Sequence, residues 1–482
     1  MSPHPGTGTT PDDNDLVRNS WSGQQLPHPP GRRRVIGDIE ADADPATPVQ
    51  NLLRRIDSLP PLVEFKAYRE RFVFIHTAAL CAQVSDDTTF DKALAPSVRA
   101  LRVFAGDGLF TAYTDEPNWG LAHDLLVPAF TKPAMRDYHD TMNEVADDLV
   151  TKWASADGFV DVADDLTRMT LETIGRTAFG HSFATFETSA TDPYVVAMVD
   201  SLKHASLNSA LQTLPLGRAV SALHDRRAGD ISRRLAAVID PIITARLALG
   251  PRHGGREDLL GRMLHTAHER TGARLDVDNV RDQILTFLTA GHETTSGALS
   301  FALWFLTHDP AVLARAQAET DEILGPDPTA RPTFAQVPKF RYLRRVLDET
   351  LRLWPTAPGF TRSPRWPTTV GGYAMLPQDW VIVFLPGVHR DPAVWGPHPD
   401  RFDPDNFLPE RVRARPAYSY LPFGVGMRAC IGRQFAIHEA VLVLARLLRR
   451  FDLRADSAYD LMVTERLTLM PKGFRVEARR RA

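Results

Sequence analysis

Residues 423–432 read FGVGMRACIG and contain Cys430, one of only two cysteines in the chain. Gly424, Gly426 and Gly432 permit a tight, exposed turn. Arg428 stands two residues before the sulfur. A helix starting just after Cys430 adds free N–H groups and the positive end of a dipole. All three features favour thiolate over thiol. Such a sulfur can be a nucleophile, a metal ligand or a haem ligand, and no neighbouring base supports the first. A lone cysteine is more often structural, but the spaced F-G-x-G-x-R-x-C-x-G pattern favours function.

Two further clusters carry chemistry. Residues 290–295 read AGHETT inside a long apolar run. At helical spacing Ala290, Glu293 and Thr294 are neighbours. The small pair Ala290 and Gly291 opens room for a flat or bulky ligand. A carboxylate beside a hydroxyl can hold water and pass protons. The bland alternative is a kink with internally bonded threonines. Residues 349–352 read ETLR, an i, i+3 ion pair that by itself is weak evidence.

These residues need elements to position them. The apolar run at 277–308 predicts a helix of about 45 Å, capped by Asp276 and stopped by Asp309-Pro310. It is apolar nearly all round and should be buried. Helical periodicity also marks 136–154, 229–250, 340–354 and 433–451. Residues 62–77 suggest a hairpin, 251–257 a loop, 355–423 a Pro-rich irregular region and 467–479 a terminal hairpin. Residues 1–25 read as a disordered tail, leaving 26–482 as one domain.

The chain has 482 residues, a formal charge of −3 and 43% hydrophobic residues. That balance supports neither nucleic acid nor an anionic membrane as partner. Nothing reads as a signal peptide or membrane anchor, and two distant cysteines fit a reducing cytoplasm. The excess of Arg over Lys fits a GC-rich bacterial source.

Together, in this order and spacing, FGVGMRACIG, AGHETT and ETLR resemble the cytochrome P450 haem-thiolate monooxygenases. The resemblance extends from about residue 26 to the end. The stretches 104–130, 285–306, 351–360 and 428–448 are most similar to the haem domain of bacterial self-sufficient fatty-acid hydroxylases. It implies a mainly α fold with small β-sheets and a long central helix over haem b. Cys430 becomes the axial ligand to haem iron. Arg428, Trp119 and His123 contact the propionates, and Phe423, Gly424 and Gly432 shape the thiolate side. Thr294 hydrogen-bonds the activated oxygen, Glu293 delivers protons and Gly291 leaves space for dioxygen. Glu349 and Arg352 become a structural pair. The family's third partner, an arginine, is Asn406 here, so His389 or Arg390 is expected to close the network.

The same resemblance places Phe110, Ala290, Ala357, Gly359 and Leu467 around an apolar substrate. A long-chain fatty acid leads. However, the related carboxylate-binding Arg and Tyr align with Glu70 and Phe74, so Tyr68, Arg69 or Arg71 must serve, or the substrate is a terpenoid or polyketide intermediate. The chain stops after its final strand signals, so electrons are expected from a separate ferredoxin or flavodoxin with an NAD(P)H-dependent reductase, docking near Arg433. A peroxygenase or isomerase would usually lack the Glu293–Thr294 pair. A non-catalytic haem sensor would need an output domain.

Overall fold

The computed structural model describes residues 21–481 except 40–43, 45, 69, 189, 213–216 and 254–257. Most of the expected tail and part of the expected loop at 251–257 therefore lie outside the described residues. Order begins before Leu26: Trp21 is fully buried, and its N–H donates to Asp379 at 2.6 Å.

The helices that frame the site are α1 (Pro117–Leu126), α2 (Met135–Ser155), α3 (Val162–Ala178), α4 (Pro193–Gln212), α5 (Gly217–His253), α6 (Val277–His308), α7 (Arg341–Leu353) and α8 (Arg433–Arg450). The central one, α6, has the expected bounds. Asp276 caps it by accepting from the Asn279 N–H at 2.7 Å. Its buried residues run round the whole cylinder because α3, α7 and α8 pack against it. Buried Ser300 bonds back to the Ser296 carbonyl at 2.7 Å, so this hydroxyl has a partner inside the helix.

The main sheet joins β1 (Leu62–Ala67), β2 (Glu70–Ile75), β3 (Phe90–Lys92), β5 (Gly359–Pro364) and β6 (Val381–Phe384) in the order β1-β2-β6-β5-β3. β1 and β2 form the expected hairpin, and β2 runs parallel to β6. The region expected to be irregular therefore supplies two strands of this sheet, and a further antiparallel pair, Thr368–Val370 with Tyr373–Met375. A second sheet has the order β4-β10-β7, from β4 (Phe159–Asp161), β7 (Phe451–Ala455) and β10 (Arg475–Arg480). β8 (Val463–Glu465) pairs with β9 (Leu469–Pro471). The expected terminal hairpin is thus corrected. β9 and β10 belong to different sheets, because each finds an earlier strand as its antiparallel neighbour.

Candidate active site

The Cys430 loop is held by its own backbone. Cys430 donates its N–H to the Phe423 carbonyl at 2.7 Å, and Gly424 donates to Leu421 at 3.0 Å. Gly426 must be glycine: its φ is +67°, and a Cβ there would lie 1.8 Å from Asp87 Oδ2. Asp87 uses that close approach to accept from the Met427 N–H at 2.5 Å, while Arg362 holds its other oxygen at 2.7 Å. The loop is pinned to the main sheet, and α8 begins immediately after it.

Cys430 faces a cavity of about 340 Å3, enclosed between the loop and α6. Removal from water raises its thiol pKa, while a bond from the Gly432 N–H and the charge of Arg433 pull the other way. The help expected from Arg428 is corrected. Arg428 does not serve the sulfur; it donates to the Ala112 carbonyl at 2.8 Å, to Leu109 O and Thr114 Oγ1 at 3.2 Å, and lies 4.6 Å from the Trp119 ring centre. Cys81, the second cysteine, is buried, and its pKa is pushed up to about 11 by that burial.

Trp119 stacks on His123, with centroids 5.0 Å apart, and both line this cavity. Phe423, Gly424 and Gly432 line it as well. Lys92, which no sequence motif marked, joins them: its Nζ donates to the Phe110 carbonyl and sits 4.6 Å from that ring. Burial depresses Lys92 well below the ordinary lysine range and lowers Arg428 to about 10. Among the described residues neither cation has a carboxylate ion-pair partner.

Haem is tested against this geometry. One cysteine opens onto the cavity, small residues such as Ala290, Gly291 and Ala298 border it, and two desolvated cations without anions stand at one edge. A flat dianionic tetrapyrrole with an axial sulfur ligand fits that donor set. Coordination also removes the difficulty of the raised thiol, since a metal-bound thiol is deprotonated outright. Among the described residues no cluster of three or more His, Cys, Asp or Glu side chains offers an alternative metal site.

A second cavity, about 760 Å3, adjoins the first. The two share Phe110, Thr286, Ala290, Thr294, Ala357 and Gly359. Leu467 and Glu293 line only the larger, so all five expected substrate contacts lie on its wall. Thr294 donates its hydroxyl to Ala290 O at 2.8 Å. Glu293 is almost fully buried; Oε1 accepts from Arg466 at 3.0 Å, and Oε2 has no partner among the described residues. Arg466, in the turn between β8 and β9, carries no recognisable sequence signal. Gly291 borders the smaller cavity, but a Cβ on it would come within 3.3 Å of Ile174 on α3. This glycine serves the close packing of α3 on α6.

Neither Arg71 nor Tyr68 lines the cavity. Arg69 lies outside the described residues. Arg71 pairs with Glu64 and donates to Gln24 O at 2.9 Å, and Tyr68 sits at the hairpin turn with φ +53°. Phe74 does line the cavity, packed edge-on to Phe65 at 5.7 Å.

The Glu349–Arg352 pair is buried on α7, with both arms at 2.7 Å. Arg352 also donates to the carbonyls of His389, Pro399 and Arg401. Asn406 itself closes the network: its Nδ2 donates to Glu349 Oε1 at 3.0 Å, beside the Asp403 N–H at 2.8 Å. Arg415, stacked 3.9 Å from Trp395, donates to the Asn406 carbonyl and supplies nearby positive charge. The expectation for Arg390 is corrected, since it pairs with Asp400 instead. His389 offers its carbonyl to the Arg352 guanidinium and its ring Nδ1–H to the Arg352 backbone carbonyl at 3.2 Å, but burial lowers its ring pKa to about 3, so it brings no charge to the pair.

The fold thus brings together a long helix over a cavity, a cysteine loop below it and a buried Glu-x-x-Arg pair. The chain belongs to the cytochrome P450 family, whose family model matches residues 27–478. It is 40% identical over 437 residues to a bifunctional cytochrome P450/NADPH–P450 reductase of Bacillus cereus, covering 90% of this chain and 40% of that protein. It is 38% identical to the bifunctional cytochrome P450/NADPH–P450 reductase 1 of Bacillus subtilis, covering 91% of this chain and 41% of the relative. A self-sufficient cytochrome P450 monooxygenase of Aspergillus niger is 37% identical, covering 92% of this chain and 42% of the relative. The chain thus spans about two fifths of the length of the curated relatives it matches. Among the described residues no helix is long and apolar enough to cross a membrane.

Proposed function

We propose that this chain is the haem domain of a monooxygenase that hydroxylates a long-chain fatty acid. The observation that carries the reading is the junction of the two cavities. The Cys430 loop lies on one side of the smaller one, Thr294 stands where it meets a large apolar chamber, and Glu293 lies beside Thr294 on the chamber wall. Apolar walls suit an apolar ligand, and the named relatives couple a P450 to an NADPH reductase or are called monooxygenases.

Cys430 would hold haem b, with Arg428, Lys92, Trp119 and His123 at its propionate edge and Phe423, Gly424 and Gly432 on the sulfur side. When bound, the haem activates dioxygen so that one atom enters a C–H bond and the other leaves as water, using two electrons and two protons. The protein supplies the protons and the dryness. Glu293 Oε2 has no partner among the described residues and is placed to carry a proton inward. Thr294 donates to the helix carbonyl through its hydrogen, which leaves its oxygen lone pairs to accept at the junction. Phe110 restricts approach, and Ala290, Ala357, Gly359 and Leu467 leave width for an alkyl chain. Electrons come from NAD(P)H through a ferredoxin, flavodoxin or reductase module, for which exposed Arg433, 5.7 Å from the Phe423 ring, is the docking contact. The family's mouth anchor for a carboxylate is replaced here by Glu70 and Phe74, which also favours a second reading, oxidation of a terpenoid or polyketide intermediate.

The deciding experiment titrates the purified holoprotein with acids from dodecanoate to octadecanoate while watching the haem Soret band, then supplies NADPH and surrogate redox partners. Saturable conversion to high-spin iron and hydroxylated acid are expected. No spectral change in a protein with an intact thiolate spectrum would transfer the assignment to a natural-product substrate.

A further inference from the structure

The large chamber has three cationic side chains on its wall: Arg55, Lys92 and Arg466. Lys92 is turned onto the Phe110 carbonyl. Arg55 lies 5.9 Å from the Phe65 ring and shares its part of the wall with the acidic Asp38 and Asp44. Arg466 is different. Its guanidinium makes one bond, from Nη1 to Glu293 Oε1 at 3.0 Å. A guanidinium carries five N–H donors, and among the described residues no acceptor takes those on Nε or Nη2. About a third of its side-chain surface (34%) remains open, against 4% for Glu293. The adjacent Glu465 does not compete, because its oxygens accept from the Val49 and Gln50 N–H groups at 2.7 and 2.8 Å.

We propose that Arg466 is the carboxylate-binding residue of the substrate chamber, so that a fatty acid enters carboxyl-first and is held beside Glu293. The inference rests on the fatty-acid reading above and deepens it. The planar fork of arginine accepts a carboxylate on two parallel N–H bonds. Nε and Nη2 form such a fork, while Nη1 keeps Glu293. Anchoring at the mouth is disfavoured, since Arg71 is committed to Glu64 and Phe74 occupies the wall.

The orientation has a chemical consequence. With the carboxylate on Arg466, the carbons nearest it lie along Ala290 and Thr294, where the chambers join. Oxygen therefore enters within the first few carbons of the chain, and the alkyl tail fills the apolar space between Phe65, Phe104 and Leu202.

The test is a spectral titration of the ferric holoenzyme with dodecanoate and with dodecanol, which share a chain and differ in charge. Arg466→Met should weaken dodecanoate by ten-fold or more and dodecanol by less than two-fold. Arg466→Lys should fall between. Glu293→Gln removes the competing anion and should tighten dodecanoate several-fold without affecting dodecanol. Arg55→Met should leave the acid-to-alcohol ratio unchanged. Each variant is first checked for its carbonyl spectrum. Binding of both ligands with no dependence on Arg466, or selective loss of the acid in Arg55→Met, overturns the anchor while the hydroxylase reading stands. Failure of both ligands to bind overturns the fatty-chain reading and the anchor with it. Products oxidised at the chain terminus also overturn it.

Discussion

Replacing Arg352 by methionine removes one half of an ion pair that is almost wholly excluded from water, with Glu349 at 0% and Arg352 at 1% side-chain exposure. Methionine keeps the unbranched stem near Trp395, whose ring centre lies 4.7 Å from the guanidinium. The loss is electrostatic. Glu349 keeps only the Asp403 N–H and the Asn406 amide, and three carbonyls lose their shared donor. Breaking a buried pair in this way costs about 3–5 kcal/mol, chiefly because one charge is left uncompensated. At roughly 2.1 cal/mol/K of unfolding entropy per residue, a chain of this size has an unfolding entropy near 1 kcal/mol/K, so the thermal midpoint should drop by about 3–5 °C. The assay is a thermal melt of the holoprotein at pH 7, with Glu349→Gln/Arg352→Met alongside. The double variant should recover more than half of the loss, since no orphan charge remains. A shift of less than about 1 °C in the single variant, or a double variant no better than the single, would refute a structural role built on charge pairing.

Two further outcomes follow from half-buried side chains of α6. Asp282 on α6 has its pKa pushed up to about 7, first by burial and then by Asp107, so the folded state holds a proton that the unfolded chain releases near 3.8. Stability should therefore be highest below pH 4 for this group and fall as pH rises toward 7; Asp282→Asn should flatten that part of a chemical-denaturation profile, and an unchanged slope would contradict it. Thr294→Ala leaves the helix intact, since the hydroxyl bonds only to its own Ala290 carbonyl; NADPH consumption should continue while product per NADPH drops several-fold and peroxide rises, and unchanged coupling would move the proton relay elsewhere.

The parts of this site that lie close together in sequence were legible there. The bounds of α6 follow from Asp276 and Asp309-Pro310, which act locally on the backbone. The cysteine turn follows from Gly424 and Gly426, whose positive φ only glycine adopts freely. What escaped depends on distant partners. Arg466 meets Glu293 across 173 residues, and Asn406 meets Glu349 across 57. No local pattern encodes either contact. The terminal strands alternate as a hairpin would, yet each pairs with an earlier strand, because register there is chosen by tertiary neighbours. The part played by Arg428 was misread for the same reason. Arg428 is near in sequence but points toward Ala112 and Trp119, whereas desolvation comes from the whole fold.

The central claim is that Cys430 is the axial ligand of a bound haem. It is tested most directly by the difference spectrum of the reduced protein with and without carbon monoxide, taken on the purified wild type and on Cys430→Ala at equal haem content. The wild type should give the red-shifted Soret band of a thiolate-ligated carbonyl haem, and the variant should lose it completely. An unchanged band in Cys430→Ala, or no such band in a wild type carrying one haem per chain, would contradict the account.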